Sequence, residues 1–252
     1  MGRDQPVIRL HEVTVGYGSA ALLSAISIGA TSGDRIAVLG LSGAGKTTLI
    51  RTIAGLQSPI SGRVEVLGTS PRQLYGSGEI QYLHQRPTLW EHLTVGKNVA
   101  LAGRLLRTAT AESVRSVIAE LGLADAEHRY PFELSEGMKA RVALARVFVS
   151  QPALVLGDEP FASLDHSRRE QLNLRLSALA AAVGSAVVTV THDVVEALRF
   201  SNVIWVLKSD RTGICEFHVP PGGELLDQNS MPREYLLLRD QILTLMSGAA
   251  DV

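Results

Sequence analysis

Residues 40–48 read Gly-Leu-Ser-Gly-Ala-Gly-Lys-Thr-Thr. The apolar run Ile36, Ala37, Val38 and Leu39 precedes them, and Leu49, Ile50, Ile53 and Leu56 follow at helical spacing. This order predicts a phosphate-binding loop between a buried strand and a helix. Gly40, Gly43 and Gly45 let the backbone turn its N–H groups around a polyphosphate, and Leu41, Ser42, Ala44 and Thr48 complete the cradle. Lys46 reaches the outer phosphates and the Thr47 hydroxyl is placed for Mg²⁺. The helix adds its unpaired N–H groups and positive dipole end. The implied ligand is a nucleoside triphosphate.

A second element of the same chemistry is Leu154-Val155-Leu156-Gly157-Asp158-Glu159-Pro160. An apolar strand that ends in two adjacent carboxylates delivers them to the C-terminal edge of a sheet, where open α/β sheets bind their ligands. Asp158 is expected to hold Mg²⁺, directly or through water, and Glu159 to polarise an attacking water as general base.

Around these two motifs the chain alternates. Residues 7–10, 13–15 and 22–28 have β-type composition, and Gly16-Tyr17-Gly18 reads as a turn. Residues 63–67 and 80–83 follow as short strands. From residue 93 to 149 Ala, Leu, Arg and Glu predominate, which predicts a helical insertion. Strands at 153–156, 186–190 and 203–207 then alternate with helices at 167–182 and 194–200, a pattern that implies a mostly parallel sheet covered on both faces. The expectation is one domain, 1–252, of the α/β P-loop NTPase class. Residues 1–85 and 150–220 would form the nucleotide-binding core with an N-terminal antiparallel β region, and 86–149 an inserted helical lobe. Residues 221–252 would form a short tail with a terminal helix near 235–246, too short for a separate sensing domain.

Composition excludes several classes. With 46% hydrophobic and 19% charged residues the chain reads as an ordinary globular protein, and a net charge of −1 with pI about 6.7 argues against wrapping nucleic acid. The single cysteine, Cys215, suits a reducing compartment. The N-terminus lacks a signal-peptide core, and no run of 18 apolar residues occurs, so work at a membrane would require docking to a partner.

Three further segments carry a resemblance to the ATP-binding subunits of ATP-binding cassette transporters. Leu134-Ser135-Glu136-Gly137-Met138, followed by residues 139–146, is similar to the family's signature and its helix. Ser163-Leu164-Asp165 resembles the D-loop, and Thr191-His192-Asp193 the switch histidine. Gln85 stands where the family's glutamine loop lies, and Tyr17 where an aromatic stacks on adenine.

The resemblance implies an ATPase that works as a head-to-tail pair, with a second copy or a related subunit. Ser135 and the Gly137 N–H of one subunit would bind the γ-phosphate held by the other. His192 would hold the γ-phosphate and the water, Gln85 would contact the metal, and Asp165 would connect the two sites. It implies integral membrane permease subunits as partners, a solute-binding protein, and a place on the cytoplasmic face of the membrane. The function is then powering a transporter, a bacterial-type importer; the alternative is a dimerising regulatory module with very slow hydrolysis. Glu136 stands where the family has glycine, and a carboxylate there repels phosphate unless it points away. Met138 resembles the nitrate, sulfonate and taurine importer subset. Leu89, Trp90 and Leu93, after the glutamine, would either dock a permease helix or, for Trp90, pack inside the lobe.

Overall fold

The computed structural model describes residues 6–105, 110–223, 226 and 231–247. The N-terminal residues behind the leader expectation, 1–5, and parts of the insertion (106–109) and tail (224–225, 227–230, 248–252) lie outside the described residues. In chain order the strands are β1 (Pro6–Tyr17), β2 (Ala20–Ile26), β3 (Gly29–Thr31), β4 (Arg35–Leu39), β5 (Ser61–Val66), β6 (Ile80–Leu83), β7 (Leu154–Asp158), β8 (Ala186–Val190), β9 (Val203–Leu207) and β10 (Ile214–His218). The α-helices are α1 (Lys46–Ile53), α2 (Val95–Leu105), α3 (Ala111–Glu120), α4 (Glu136–Phe148), α5 (His166–Val183), α6 (Val194–Phe200) and α7 (Arg233–Ser247). The class is α/β, with parallel strands, helices and a separate antiparallel region. The described residues of Met1–Gln73 and Ala186–Val252 form one compact unit and those of Leu74–Ser185 a second.

In the first unit β1 is the spine of the antiparallel region. Its N-terminal half pairs with β3 and β5, and its C-terminal half with β2. By composition residues 7–10 and 13–15 read as two strands, with His11 and Glu12 between them. The chain instead runs through as one strand with a bulge there, and Glu12 takes φ 47°. Gly62 on β5 makes room for it: a Cβ at that position would stand 2.3 Å from the Glu12 carbonyl oxygen. The expected strand 22–28 is β2, which ends at Ile26, and β3 at Gly29–Thr31 is a further strand that the sequence reading did not include; the two pair with different parts of β1. Ser27, at the crossover, accepts the Glu12 N–H at 3.0 Å.

The same unit holds the parallel strands β4, β8 and β9. β4 lies between β8 and β9, parallel to both, with Val38 opposite Val190 and Trp205, and β10 pairs antiparallel with β9. Ile36, Val38, Leu39, Val188, Ile204, Trp205 and Val206 are each no more than 1% exposed or wholly buried. That is the continuous apolar character of strands covered on both faces, and each such side chain contributes roughly 1.5–3 kcal/mol. α1 packs on β1, β5 and β8; α6 packs on β4; and α7 packs on α6 and β9. Tyr235 of α7 donates its hydroxyl to the carbonyls of Pro220 and Pro221, at 2.8 and 3.0 Å, which pins the tail beside β10.

In the second unit β6 and β7 pair in parallel, Ile80 with Leu154 through Leu83 with Gly157. Between them in sequence come α2, α3 and α4. α4 is the hub: it packs against α2, α3, α5 and β6, and Ala140, Val142, Leu144, Ala145, Val147 and Phe148 are buried. Among the described residues no helix is long and apolar enough to cross a membrane.

Candidate functional site

In the first unit, buried β4 delivers the chain at Leu39 into the loop that precedes α1. Gly45 closes that loop with φ 100°, and a Cβ there would crowd the Leu22 Cβ at 3.3 Å. α1 starts at Lys46 with no side-chain cap and no acidic residue in its first turn. The other α-helices whose N-caps are defined differ: Thr110, Ser135, Asp165 and Asp193 each accept a backbone N–H of the helix they begin. α1 therefore keeps the positive potential of its N-terminus for whatever the loop encloses. The Lys46 ammonium adds a full charge there, donating to the carbonyls of Gly40 at 2.8 Å and Leu41 at 3.0 Å. Thr47 is half-buried in the first turn. Leu41, Ser42 and Gly43 are exposed, whereas Ala44 and Gly45 are buried.

Thr48, expected in the cradle, points inward. It is 3% exposed, and its hydroxyl donates to the Tyr17 hydroxyl at 3.3 Å. Tyr17 is the last residue of β1 rather than part of a turn, and it is 58% exposed. Its ring is presented to solvent while its oxygen is tied to α1.

His192 follows β8 in the same unit. The Thr191 N–H donates to the Val38 carbonyl at 3.2 Å, so this segment hangs from the strand that feeds the loop. On its other side, Asp193 caps α6 through the N–H groups of Val195 (2.8 Å) and Glu196 (3.1 Å). The Thr191 hydroxyl accepts the Asp193 N–H at 3.2 Å. Exposed His192 is thus held between two anchored neighbours. Sequence reasoning named Thr191 and Asp193 only as context; the readable signal was an Asp directly before a helical run.

In the second unit, Asp158 ends β7, half-buried, behind buried Leu154, Val155, Leu156 and Gly157. Tyr82 of β6 donates its hydroxyl toward Asp158 Oδ2 at 3.5 Å, and its ring lies 4.8 Å from that of His84. The sequence did not single out Tyr82. Glu159 takes φ 47°, a left-handed conformation that costs a non-glycine residue roughly 1–2 kcal/mol. Such strain is concentrated at functional sites. Gln85 is exposed two residues beyond the end of β6.

The signature residues open α4. Ser135 is its N-cap, with Oγ accepting the Met138 N–H at 3.3 Å, and Gly137 follows in the first turn. A Cβ on Gly137 would lie 3.8 Å from the Arg168 Cδ. Asp165 caps α5 through the Arg168 N–H at 3.0 Å and pairs with the Arg168 guanidinium at 3.3 Å. Arg168, paired with the Asp165 cap of α5, thus also lies beside the first turn of α4, which Ser135 caps.

Trp90 is half-buried, and the Arg146 guanidinium lies 4.0 Å over its ring. Arg146 also donates to the Thr88 carbonyl, and burial lowers its pKa. The packing alternative therefore describes one face of Trp90. What fixes the loop is Asn98 of α2, 0% exposed: its Oδ1 accepts the Trp90 N–H at 2.9 Å, and its Nδ2 lies 2.9–3.1 Å from the carbonyls of Trp90, Leu93 and Thr94. Sequence reasoning missed Asn98. The signal was a polar residue on the helix face that carries Val95, Val99 and Ala102.

The family model described as ABC transporter matches residues 23–162. The sulfate/thiosulfate import ATP-binding protein CysA of Synechococcus elongatus is 39% identical over 216 residues, covering 82% of this chain and 62% of that protein. The aliphatic sulfonates import ATP-binding protein SsuB 3 of Rhodococcus jostii is 39% identical over 200 residues, covering 79% of this chain and 70% of its own. The spermidine/putrescine import ATP-binding protein PotA of Pseudomonas aeruginosa is 34% identical, with 82% and 58% covered. The chain thus spans less than two-thirds of the sulfate and polyamine relatives. In fold, a solved ATP-binding subunit of an ABC transporter superposes with a TM-score of 0.77 at 24% identity, covering 96% of this chain and 99% of that one. CbiO1 of Clostridium perfringens, part of the complex cbiONQ, does so with 0.77 at 23%, covering 97% and 100%. An uncapped helix behind a glycine loop, a strand ending in Asp158, a Ser-capped helix at 135 and a family match spanning most of these lead to one conclusion: the chain belongs to the ABC transporter family, as its ATP-binding domain.

Proposed function

We propose that this chain is the ATP-hydrolysing subunit of a membrane transporter, a bacterial-type importer, working as a pair with a second copy of itself or a related subunit. The observation that carries the reading is the bare N-terminus of α1 with the Lys46 ammonium beside it, an anion site in a fold whose relatives are import ATP-binding proteins.

In this reading Tyr17 stacks on adenine, and residues 40–48 wrap the phosphates. Lys46 exchanges its two carbonyl partners for the outer phosphate oxygens. Glu159 takes the proton of the attacking water, and His192, held by Thr191 and Asp193, orients the γ-phosphate. Ser135 and the N–H groups near Gly137 face the γ-phosphate of the partner subunit, and Asp165 links the two sites. Loss of that phosphate on hydrolysis removes the bridge and opens the pair.

The Thr47 hydroxyl, the Asp158 carboxylate and the Gln85 amide oxygen are hard donors of the kind Mg²⁺ takes, and the Tyr82 hydroxyl lies 3.5 Å from Asp158 Oδ2. These residues would hold the ion. When bound, it neutralises charge on the phosphates.

The partners in this reading are permease subunits and a solute-binding protein, and the place is the cytoplasmic face of the membrane. The two relatives at 39% identity are named for sulfur oxyanion solutes, in accord with Met138, so a small anion is the solute class to test first. The experiment is purification of this subunit from membranes with its bound proteins, and comparison of the ATPase rate with that of the Glu159→Gln form. A polytopic partner with Glu159-dependent hydrolysis is the expected result. A soluble partner, or ATP binding without turnover, would overturn the transporter reading.

A further inference from the structure

α4 begins with an acid. Ser135 caps the helix, Glu136 is its first residue, and Gly137 follows. An acid in a first turn stabilises a helix, but it also cancels part of the positive potential that the helix end offers to an external anion. Here the carboxylate is not left at the tip. Glu136 Oε1 accepts the Lys139 ammonium at 2.8 Å, an i, i+3 pair on one face of the helix. Lys139 is only 26% exposed against 57% for Glu136, so its stem lies along the protein and draws the carboxylate back toward the second turn. Arg168, a second cation at this helix end, is engaged by Asp165 at 3.3 Å.

We infer that Lys139 is a positioning residue for γ-phosphate capture. By holding the Glu136 carboxylate back along α4 and neutralising it, it keeps the Ser135 hydroxyl and the Gly137 N–H open to the phosphate of the partner subunit. The inference rests on the proposed head-to-tail pairing. It explains how a chain with an acid inside its signature keeps an anion-binding helix end. As a stabiliser of the fold an exposed pair of this kind is weak, so the effect of removing Lys139 belongs in nucleotide-driven pairing rather than in stability.

The test uses the full chain carrying Glu159→Gln, in which bound ATP persists, and follows dimer formation by light scattering against the concentration of Mg-ATP, with Mg-ADP as the control that lacks the γ-phosphate. Lys139→Gln in this background is expected to raise the ATP midpoint about three- to ten-fold, the span for one uncompensated charge at a helix end, with thermal unfolding unchanged. Lys139→Arg should keep the midpoint. Glu136→Gly should keep or lower it, and Lys139→Gln added to Glu136→Gly should do nothing further. An unmoved midpoint with Lys139→Gln, or a shift that persists when Glu136 is gone, overturns the inference while leaving the pairing intact. No dimer with ATP, or equal dimer with ADP, overturns the pairing itself and the inference with it.

Discussion

Tyr17 and Thr48 meet hydroxyl to hydroxyl at 3.3 Å, which ties the end of β1 to the first turn of α1. Thr48 is 3% exposed and Tyr17 58%, so one side chain of the pair belongs to the core and the other to the solvent-facing side of the loop. The ring and the oxygen of Tyr17 therefore have separable tasks. Tyr17→Ala should weaken ATP binding by about 1–3 kcal/mol, the range for losing a base–aromatic stack. Tyr17→Phe should keep most of that affinity and lose stability by about 0.5–1.5 kcal/mol, the net value of one hydrogen bond. Fluorescent-nucleotide titration and thermal unfolding of the two variants separate the effects. Equal affinity losses would remove the stacking role.

Lys46 spans the loop, from its own place at the head of α1 to the carbonyls of Gly40 and Leu41. Its charge has no near substitute in the loop, which contains only Gly, Leu, Ser and Ala before it. Lys46→Ala should weaken ATP binding by about 1.5–3 kcal/mol, as for a charge-assisted hydrogen bond. Equilibrium dialysis with ATP and ADP is the measurement. Undiminished binding would move the phosphates elsewhere.

Glu159 joins chemistry to strain. Glu159→Gln should cut turnover about 10²- to 10⁴-fold while ATP still binds, the range for losing a general base. Because φ is 47° at this position, Glu159→Gly should be more stable than Glu159→Ala by about 1–2 kcal/mol. Chemical denaturation of the pair gives the comparison. If alanine is the more stable, the backbone does not hold this conformation in solution.

These residues also show what the sequence conveyed and what it withheld. The order strand, glycine loop, helix at 36–53 was legible because each step is local: a buried run, a turn and a 3.6-residue repeat. The carboxylates at 158 and 159 were legible for the same reason. The bulge at Glu12 was not, since the space it needs is left by Gly62 on another strand. Tyr82 was not, because what it touches is Asp158, 76 residues away. The direction of the Thr48 side chain was not legible either: periodicity places it in the first turn of α1 but does not say that its hydroxyl faces β1. The Glu136–Lys139 pair was visible as spacing, yet only coordinates say where the carboxylate goes.

Asn98 organises the segment after Gln85 from below. Its amide serves the N–H of Trp90 and lies beside the carbonyls of Trp90, Leu93 and Thr94, all with no exposure of its own. Asn98→Ala removes the acceptor of the Trp90 N–H and the side-chain donor beside the Leu93 carbonyl in a part-buried place, while the Trp90 and Thr94 carbonyls keep the backbone N–H groups of Leu93 and residue 98. The expected cost is about 1–2 kcal/mol, toward the lower end for unsatisfied polar groups. Trp90 should then become more mobile, and Trp90 and Trp205 are the chain's two tryptophans. A Trp205→Phe background isolates the Trp90 emission, which should shift to the red in Asn98→Ala. An unchanged spectrum with full stability would show that the loop is held by Arg146 alone.

Asp193 gives the last prediction. It caps α6 with two N–H groups, and it sits beside His192 in a segment hung from β4 by the Thr191 N–H. The cap alone is worth about 1 kcal/mol, so Asp193→Ala should lower stability by that amount. If the cap also sets the direction of His192, turnover should fall in proportion more than stability does, while ATP affinity holds. Asp193→Asn keeps an accepting oxygen at the same place and should restore both. A variant that restores stability but not turnover would mean that the carboxylate charge, rather than the cap, is what His192 requires. Unfolding midpoints and steady-state ATPase for the three forms distinguish the cases.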